Sequence, residues 1–230
     1  MISPTASDGT GILHAIVAPL HSTVYLIRNA QTSWNVDRRL AGRRELGLSP
    51  EGQKTAQDLV QRFEGIDVAE LLVSPLPRTV ETAQPLASAR NLDVARDPRL
   101  VDWNPGRWEG RGYAEIMLDP QFIEMTGRPI PELAFPGGER FIDVQHRMLS
   151  SVDQALQDNE LGADIAIVSH AGPLRLLLSH YLSIPVWEHE RLRLAPGSVT
   201  VLRFSSLTSP PLLVGINTCG PLLDTVGGAR

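Results

Sequence analysis

Residues 24–35 read VYLIRNAQTSWN. The apolar, β-branched run from Val24 to Ile27 ends at Arg28 and gives way to small and polar residues. This pattern predicts a buried strand over about residues 22–28. In open α/β sheets, ligands bind beyond the carboxyl ends of the strands. The strand therefore delivers the Arg28 guanidinium and the Asn29 amide to the edge at which a ligand is expected.

The composition is that of an ordinary globular protein. The chain has 230 residues, of which 42% are hydrophobic and 20% are charged, and this length suits one α/β domain with a substantial core. The formal net charge of −5 argues against nucleic-acid and acidic-membrane partners, since both favour basic surfaces. No apolar run approaches the ~18 residues of a membrane span. Cys219 is the only cysteine, so no internal disulfide can form, and we expect a reducing, cytoplasmic location.

Turn and helix-start signals divide the rest of the chain into alternating strands and helices. Helices are predicted to begin at Pro50 and Pro77 and to cover about residues 139–156 and 173–182. Pro85 lies too deep in its helix to be a start signal, so a bend or interruption is expected there. Further strands are predicted near residues 71–73, 92–94, 165–168, 198–204 and 212–216. The alternation predicts a single-domain, three-layer α/β/α sandwich with a mostly parallel central sheet.

The expected domain organisation has three parts. Residues 22–218 form the domain, residues 1–21 an N-terminal extension and residues 219–230 a C-terminal tail. The first 20 residues lack a basic start, which favours an extension over a signal peptide. Residues 11–20 fit either a short strand or a packing arm.

Four polar residues lie beside predicted strand ends, turns or helix starts. Arg28 ends the first strand, Arg78 opens a helix, Asp102 lies in a loop and His170 directly follows a strand. Taken singly, such residues more often form surface ion pairs or structural hydrogen bonds. Together, two arginines and a histidine at one sheet edge suit a phosphate, and nearby helix N-termini would add positive dipole ends.

The segment 100–136 is irregular and rich in aromatic residues. It holds Trp103, Trp108, Tyr113, Phe122 and Phe135. Irregular segments of this length in compact domains are usually functional, which favours a lid or substrate loop with an aromatic lining. The alternative is that these rings cover the core, and at least half of them are expected to do so.

Six ordered segments of the chain resemble the histidine phosphatase superfamily, in its phosphoglycerate-mutase-like group. They are RNAQTSWN at 28–35, LSPEG at 48–52, SPLPRTVETA at 74–83, GRWEG at 106–110, PGGE at 136–139 and VSHAGPLR at 168–175. The resemblance spans about residues 22–204 and implies a phosphoglycerate-mutase-like fold. It favours a phosphatase over a mutase, because mutases of this group usually carry longer insertions after the segment that matches residues 74–78.

The resemblance also implies roles for individual residues. Arg28, Asn35, Arg78 and His170 match the phosphate pocket of the family, and His170 counts among the catalytic residues. Asp102 falls where the family usually carries the glutamate that protonates the leaving oxygen and later activates water. An aspartate can fill this role only if it sits about one methylene closer to the substrate.

Other inferred roles concern the substrate loop and the ligands. Trp103, Trp108 and Glu139 are candidate substrate-loop residues. No cofactor is implied, and a metal site is not expected, because no closely spaced His/Cys pair is present. The expected partner is a small phosphorylated metabolite or inorganic phosphate, and nothing in the sequence specifies an oligomeric state.

Asn29 stands where the family carries the histidine that attacks phosphorus. A carboxamide has no lone pair basic enough for this attack, so negligible turnover is expected of the chain as written. Two explanations remain open. Asn29 is either an engineered His→Asn change that traps substrate in an ordinary phosphatase, or the natural residue of a pseudophosphatase that senses a phosphorylated ligand or binds a protein partner.

Overall fold

The computed structural model describes residues 21–125, 133–159 and 162–222. Six strands form one sheet: β1 Ser22–Arg28, β2 Val68–Val73, β3 Val94–Arg96, β4 Asp164–Ser169, β5 Val199–Phe204 and β6 Leu212–Thr218. Their order across the sheet is β3-β2-β4-β1-β5-β6. Strands β1 to β4 are parallel, whereas β5 and β6 are antiparallel to their neighbours. The predicted α/β fold with a mostly parallel sheet is confirmed.

Helices surround this sheet. The α-helices are α1 Ser33–Val36, α2 Pro50–Arg62, α3 Pro77–Arg90, α4 Tyr113–Ile116, α5 Pro120–Met125, α6 Phe141–Asp158 and α7 Ala171–Tyr181. Short 3₁₀ helices cover Pro98–Leu100, Gly106–Trp108 and Val186–Arg191. No helix in these described ranges is both long enough and apolar enough to cross a bilayer.

The alternation of β1 explains the three layers. Val24 and Leu26 pack on one face of the sheet, in a cluster with buried residues of α6 and α7. Tyr25 and Ile27 point to the other face and pack with residues of α2 and α3. Because successive side chains of a strand point to opposite faces, an unbroken apolar run is what a strand covered on both faces requires.

Strand register brings the carboxyl ends of β1, β4 and β2 to one edge. Arg28 pairs with Ser169 in the β1–β4 ladder. The Asn29 backbone N–H then donates to the Ser169 carbonyl at 2.8 Å, and the Ser74 N–H donates to the Val168 carbonyl at 3.0 Å. The residues that follow the three strands therefore meet at the same edge, as the sequence predicts for parallel strands.

Segment 100–125 folds into short helical turns rather than a featureless loop. Trp103, Trp108 and Phe122 belong to a third apolar cluster with Phe135, Phe141 and Leu176. Trp103 contacts Phe135 edge-to-face at a centroid distance of 4.8 Å and stacks on Phe141 at 5.6 Å. This aromatic cluster lies next to the carboxyl edge of the sheet, because Gly172 at the start of α7 lies directly beneath Trp103.

Helix α3 differs from the sequence prediction. It runs unbroken from Pro77 to Arg90 with Pro85 inside it, so the predicted interruption is wrong. An interior proline costs a helix about 3 kcal/mol. Ala83, Leu86 and Ala87 on either side of Pro85 are buried in the core, and this packing holds the helix together. The predicted alternatives for residues 11–20 lie outside the described residues.

Candidate functional site

A buried cluster of Arg78, His170 and Asp102 lies at the carboxyl edge of the sheet. The Arg78 Nε–H donates to His170 Nδ1 at 3.1 Å, and its Nη2 donates to Asp102 Oδ2 at 3.0 Å. The His170 Nδ1 and Asp102 Oδ2 atoms lie 3.8 Å apart. All three residues are at most 6% exposed. Three residues far apart in sequence thus form one hydrogen-bonded unit.

The remaining donors of Arg78 are also largely occupied. Nη1 donates to the Arg44 carbonyl at 2.9 Å, and Nη2 donates to the Gly42 carbonyl at 2.7 Å. A guanidinium has five N–H groups, and these bonds with those to His170 and Asp102 use four of them. One N–H, on Nη1, is left for a ligand. Arg78 therefore also ties the 42–44 loop to the site.

His170 is neutral in this arrangement. Since Nδ1 accepts from Arg78, the ring proton resides on Nε2, which donates to Ser74 Oγ at 2.8 Å. Burial lowers the pKa of His170 well below its usual value, and the charges of Arg78, Arg147 and Arg28 lower it further. The neutral ring is a fixed hydrogen-bonding group rather than a cation.

The pKa of Asp102 is raised, whereas that of His170 is lowered. Burial raises the pKa of its carboxyl to about 6, although Arg78 and the Trp103 N–H favour the ionised form. The Trp103 N–H donates to Asp102 Oδ1 at 3.0 Å, and Arg147 Nη1 and Nη2 donate to the Val101 and Asp102 carbonyls at 2.7 and 3.1 Å. A carboxyl with this pKa is available in both protonation states near neutral pH, which suits acid–base chemistry.

Arg28 and Asn29 leave the end of β1 next to this cluster. The Gly197 N–H donates to both of their carbonyls, at 3.1 and 3.2 Å. Asn29 is 5% exposed, and its Nδ2 donates to the Ala30 carbonyl at 2.8 Å. The Arg28 guanidinium donates to the Leu194 carbonyl. Its Nε is buried without a hydrogen-bond partner in the described part of the chain.

Arg175 is a site residue that the sequence reasoning missed. Its Nε is also buried and has no hydrogen-bond partner among the described residues. Burial is the main cause that lowers the pKa of Arg28, to about 10, and the nearby charge of Arg175 is the second cause. The available signal was the position of Arg175 in the helix that begins directly after His170.

The other predicted site residues have structural partners. Asn35 closes a capping box at α1, where its Oδ1 accepts from the Thr32 N–H at 2.9 Å and from the Thr32 hydroxyl at 3.1 Å. Glu139 accepts from the Asn104 N–H at 2.7 Å and from Arg147 Nε at 3.3 Å. Asn35 can therefore bind a ligand only through its Nδ2 donors. Glu139 holds the segment that follows Asp102 in place by its bond to Asn104.

Trp103 and Trp108 serve the core and a pocket at the same time. Both are buried, and both line a pocket of about 700 Å³. Further apolar walls come from Leu40, Phe122, Phe135 and Trp187. Tyr113 and Arg175 also line this pocket. We refer to it as the aromatic pocket. No group of three His, Cys, Asp or Glu side chains suited to hold a metal occurs among the described residues.

Comparisons with known proteins identify the family of this chain and proteins of similar fold. The sequence model of the histidine phosphatase superfamily (branch 1) matches residues 24–212. A probable phosphoglycerate mutase, GpmB, of Proteus mirabilis is 32% identical over 204 residues, which cover 86% of this chain and 92% of that protein. YhfR of Bacillus stearothermophilus is 31% identical with a TM-score of 0.72, covering 79% of this chain and 90% of that one. A mycobacterial glucosyl-3-phosphoglycerate phosphatase is 26% identical with a TM-score of 0.77, covering 86% and 99%.

Proposed function

Because the chain belongs to the histidine phosphatase superfamily, we propose that it binds the phosphoryl group of a small phosphorylated metabolite at Arg28, Arg78 and His170, on a phosphatase scaffold whose turnover Asn29 suppresses. The observation that carries this proposal is the buried Arg78–His170–Asp102 cluster beside Arg28. Buried arginine donors at the carboxyl edge of a sheet suit a phosphoryl group.

Binding would rearrange the bonds of Arg78. One N–H on Nη1 is available without any change, and a second becomes available on Nη2 if Asp102 releases it. The phosphoryl oxygens would then replace the carboxylate as the anion that Arg78 faces. In its protonated form, Asp102 is suited to give its proton to the leaving oxygen, since the pKa of about 6 keeps a protonated fraction near neutral pH.

Asn29 removes the covalent route. It directly follows Arg28 and is buried at the strand end, where the family has its nucleophilic histidine. The carboxamide nitrogen is conjugated with its carbonyl and has no basic lone pair, so a phosphoenzyme cannot form on it. Its N–H groups remain able to donate to a phosphoryl oxygen, which is compatible with binding.

The decisive experiment converts Asn29 to histidine and assays an aryl phosphate such as p-nitrophenyl phosphate. We expect the parent protein to be inactive and Asn29→His to turn over. Asn29→Gln is the matched control, because it alters the side chain but keeps an amide, and it should stay inactive. An Asn29→His variant that folds, binds phosphate and still lacks activity would contradict the proposal that Asn29 is what suppresses turnover.

A second candidate function is that of a natural pseudophosphatase, which senses a phosphorylated ligand or binds a partner without hydrolysis. It is favoured by the intact phosphate-type cluster beside a residue that cannot attack phosphorus. The codon for position 29 in the natural gene separates the two origins, since a histidine codon there means that Asn29 is an engineered trap. Calorimetry with inorganic phosphate tests binding itself.

Two further properties remain predictions. The single cysteine favours a cytoplasmic location, which fractionation of the native cell can test. The domain is expected to span residues 22–218, which limited proteolysis can test by the fragment it leaves.

A further inference from the structure

The aromatic pocket opens next to the phosphate-type cluster. Trp103 lines the pocket and directly follows Asp102, to which its backbone N–H donates. Tyr113 lines it as well, and the charges of Asp102, Arg28 and Arg175 all act on the Tyr113 hydroxyl. A ligand group held at Arg28 would therefore lie beside this pocket.

Much of the pocket wall is aromatic and is fixed by contacts between buried rings. Trp108 and Phe135 are almost fully buried and meet edge-to-face at a centroid distance of 6.0 Å, and Trp108 meets Phe122 in the same way at 5.9 Å. Fixed aromatic walls are an unfavourable lining for a small polar metabolite, since its hydroxyl and carboxylate groups would lose water without gaining hydrogen bonds. They favour an apolar group of matching size.

Two cations lie at or beside this pocket: Arg175 lines it, and Arg28 lies close to Arg175. Arg28 and Arg175 each have a buried Nε without a hydrogen-bond partner among the described residues, and neither forms an ion pair with a described carboxylate. Both residues are half-buried and their charges lie close to one another, and two like charges of this kind are stabilised when an anion compensates them. The pocket's own carboxylates do not fill this need, because Glu188 pairs with Arg191 at 2.5 Å and Glu190 is exposed.

We propose that the ligand is a phosphomonoester with a large apolar, preferably aromatic, alcohol part. This part lies in the aromatic pocket, and the phosphoryl group lies at Arg28, Arg78 and His170 with Arg175 as a further cation beside Arg28. This inference rests on the proposed function and adds the substrate class to it. It also assigns Arg175 as an anion-binding residue. The ligand stays intact in the protein as it exists, because Asn29 cannot accept the phosphoryl group.

Calorimetry with three probes tests the proposal. The probes are 1-naphthyl phosphate, glycerol 2-phosphate as a polar phosphomonoester, and inorganic phosphate. We expect 1-naphthyl phosphate to bind at least about tenfold more tightly than glycerol 2-phosphate, because the naphthyl ring loses contact with water in the pocket.

A pair of variants locates the apolar part. Met117 lines the pocket and is 60% exposed, whereas its neighbour Leu118 is 78% exposed and does not line it. Met117→Glu should weaken 1-naphthyl phosphate binding about tenfold and leave inorganic phosphate binding unchanged, since it puts a charge against the ring. Leu118→Glu adds the same charge one residue away and should change neither.

Arg175→Gln tests the anion-binding role of Arg175 and should weaken the binding of 1-naphthyl phosphate about tenfold or more.

The outcomes separate the two proposals. If all three probes bind with affinities within about twofold of one another, the apolar substrate class is wrong and the phosphate site stands. If none of them binds to the folded protein, the proposed function is wrong as well. A Met117→Glu variant that binds 1-naphthyl phosphate like the parent would overturn the seating in the pocket, and an Arg175→Gln variant that does so would overturn the role of Arg175.

Discussion

Arg78 Nη2 lies 3.0 Å from Asp102 Oδ2, and the two side chains are only 2% and 9% exposed. In the ligand-free protein, the Asp102 carboxylate is therefore the anion that neutralises Arg78. A phosphoryl group that approaches Arg78 competes with this carboxylate. The same carboxyl is held at a pKa of about 6 by its burial, so the strength of the competition depends on pH.

Sulfate binding should consequently be tighter at low pH. Sulfate keeps its charge of −2 between pH 5 and 7.5, which removes the titration of the ligand from the comparison. At pH 5 most of Asp102 is protonated and uncharged, whereas at pH 7.5 it is ionised and repels the anion. We expect an affinity about tenfold higher at pH 5, as calorimetry can measure.

Asp102→Asn is the control for this prediction, because its amide oxygen can still accept from Arg78 but carries no charge. Its sulfate affinity should be the same at both pH values. His170 does not complicate the comparison, since burial and three arginines hold its pKa well below the usual value. An equally strong pH dependence in Asp102→Asn would assign the effect to another group.

Arg78→Lys should destabilise the fold although it keeps the charge. A lysine ammonium has three donors on a point charge and cannot reproduce the fork that serves His170, Asp102 and the carbonyls of Gly42 and Arg44. Leaving buried members of this network unpaired should cost about 3 kcal/mol in the free energy of unfolding, measured by urea titration. Arg96→Lys at an exposed position of β3 is the matched control and should stay within about 0.5 kcal/mol of the parent. Equal losses in the two variants would mean that the Arg78 network contributes little to stability.

The convergence of Arg28, Arg78 and His170 could be predicted from sequence because it follows from strand order. Parallel strands end at a common edge, and Arg28 and His170 adjoin the ends of neighbouring strands. The occupation of the other Arg78 donors could not be predicted in this way. It depends on the carbonyls of Gly42 and Arg44, and backbone carbonyls carry no sequence signal.

The role of Arg175 and of the tryptophans also lay beyond sequence reasoning. The depth of Arg175 and its nearness to Arg28 follow from how α7 packs, which is a long-range property. Trp103 and Trp108 allowed two interpretations, as core residues or as substrate-loop residues. In the structure each ring packs in an apolar cluster and also lines the aromatic pocket. At Pro85 the local sequence was informative but tertiary packing outweighed it: proline usually interrupts a helix, and α3 nevertheless continues through it.

Gly172→Ala should disturb the site through Trp103. A Cβ at Gly172 would lie 2.5 Å from the Trp103 ring, and the Trp103 backbone also holds Asp102. The ring is wedged between Phe135 and Phe141 and has little room to move. We expect a loss of about 1–3 kcal/mol in the free energy of unfolding, together with weaker sulfate binding.

Gly112→Ala serves as the control for this substitution. Its new Cβ would have no neighbour closer than 3.8 Å, and the φ angle of −64° at Gly112 suits alanine. Its stability and sulfate affinity should remain close to those of the parent. If Gly172→Ala behaves like Gly112→Ala, the aromatic cluster is not coupled to the position of Asp102.

The Asn29→His variant should reveal Asp102 as a general acid through its dependence on the leaving group. An alkyl phosphate such as glycerol 2-phosphate has a poor leaving group that needs a proton, and the fraction of Asp102 that can supply one falls above its pKa of about 6. We therefore expect kcat/KM for this substrate, which reports the free enzyme, to fall about tenfold per pH unit above pH 6. The leaving group of p-nitrophenyl phosphate departs without protonation, so its rate should vary far less over the same range.

Adding Asp102→Asn to Asn29→His should reduce the alkyl rate by about 10²–10⁴-fold and the aryl rate much less. Equal losses for the two substrates would mean that Asp102 supports the site structurally and does not transfer the proton.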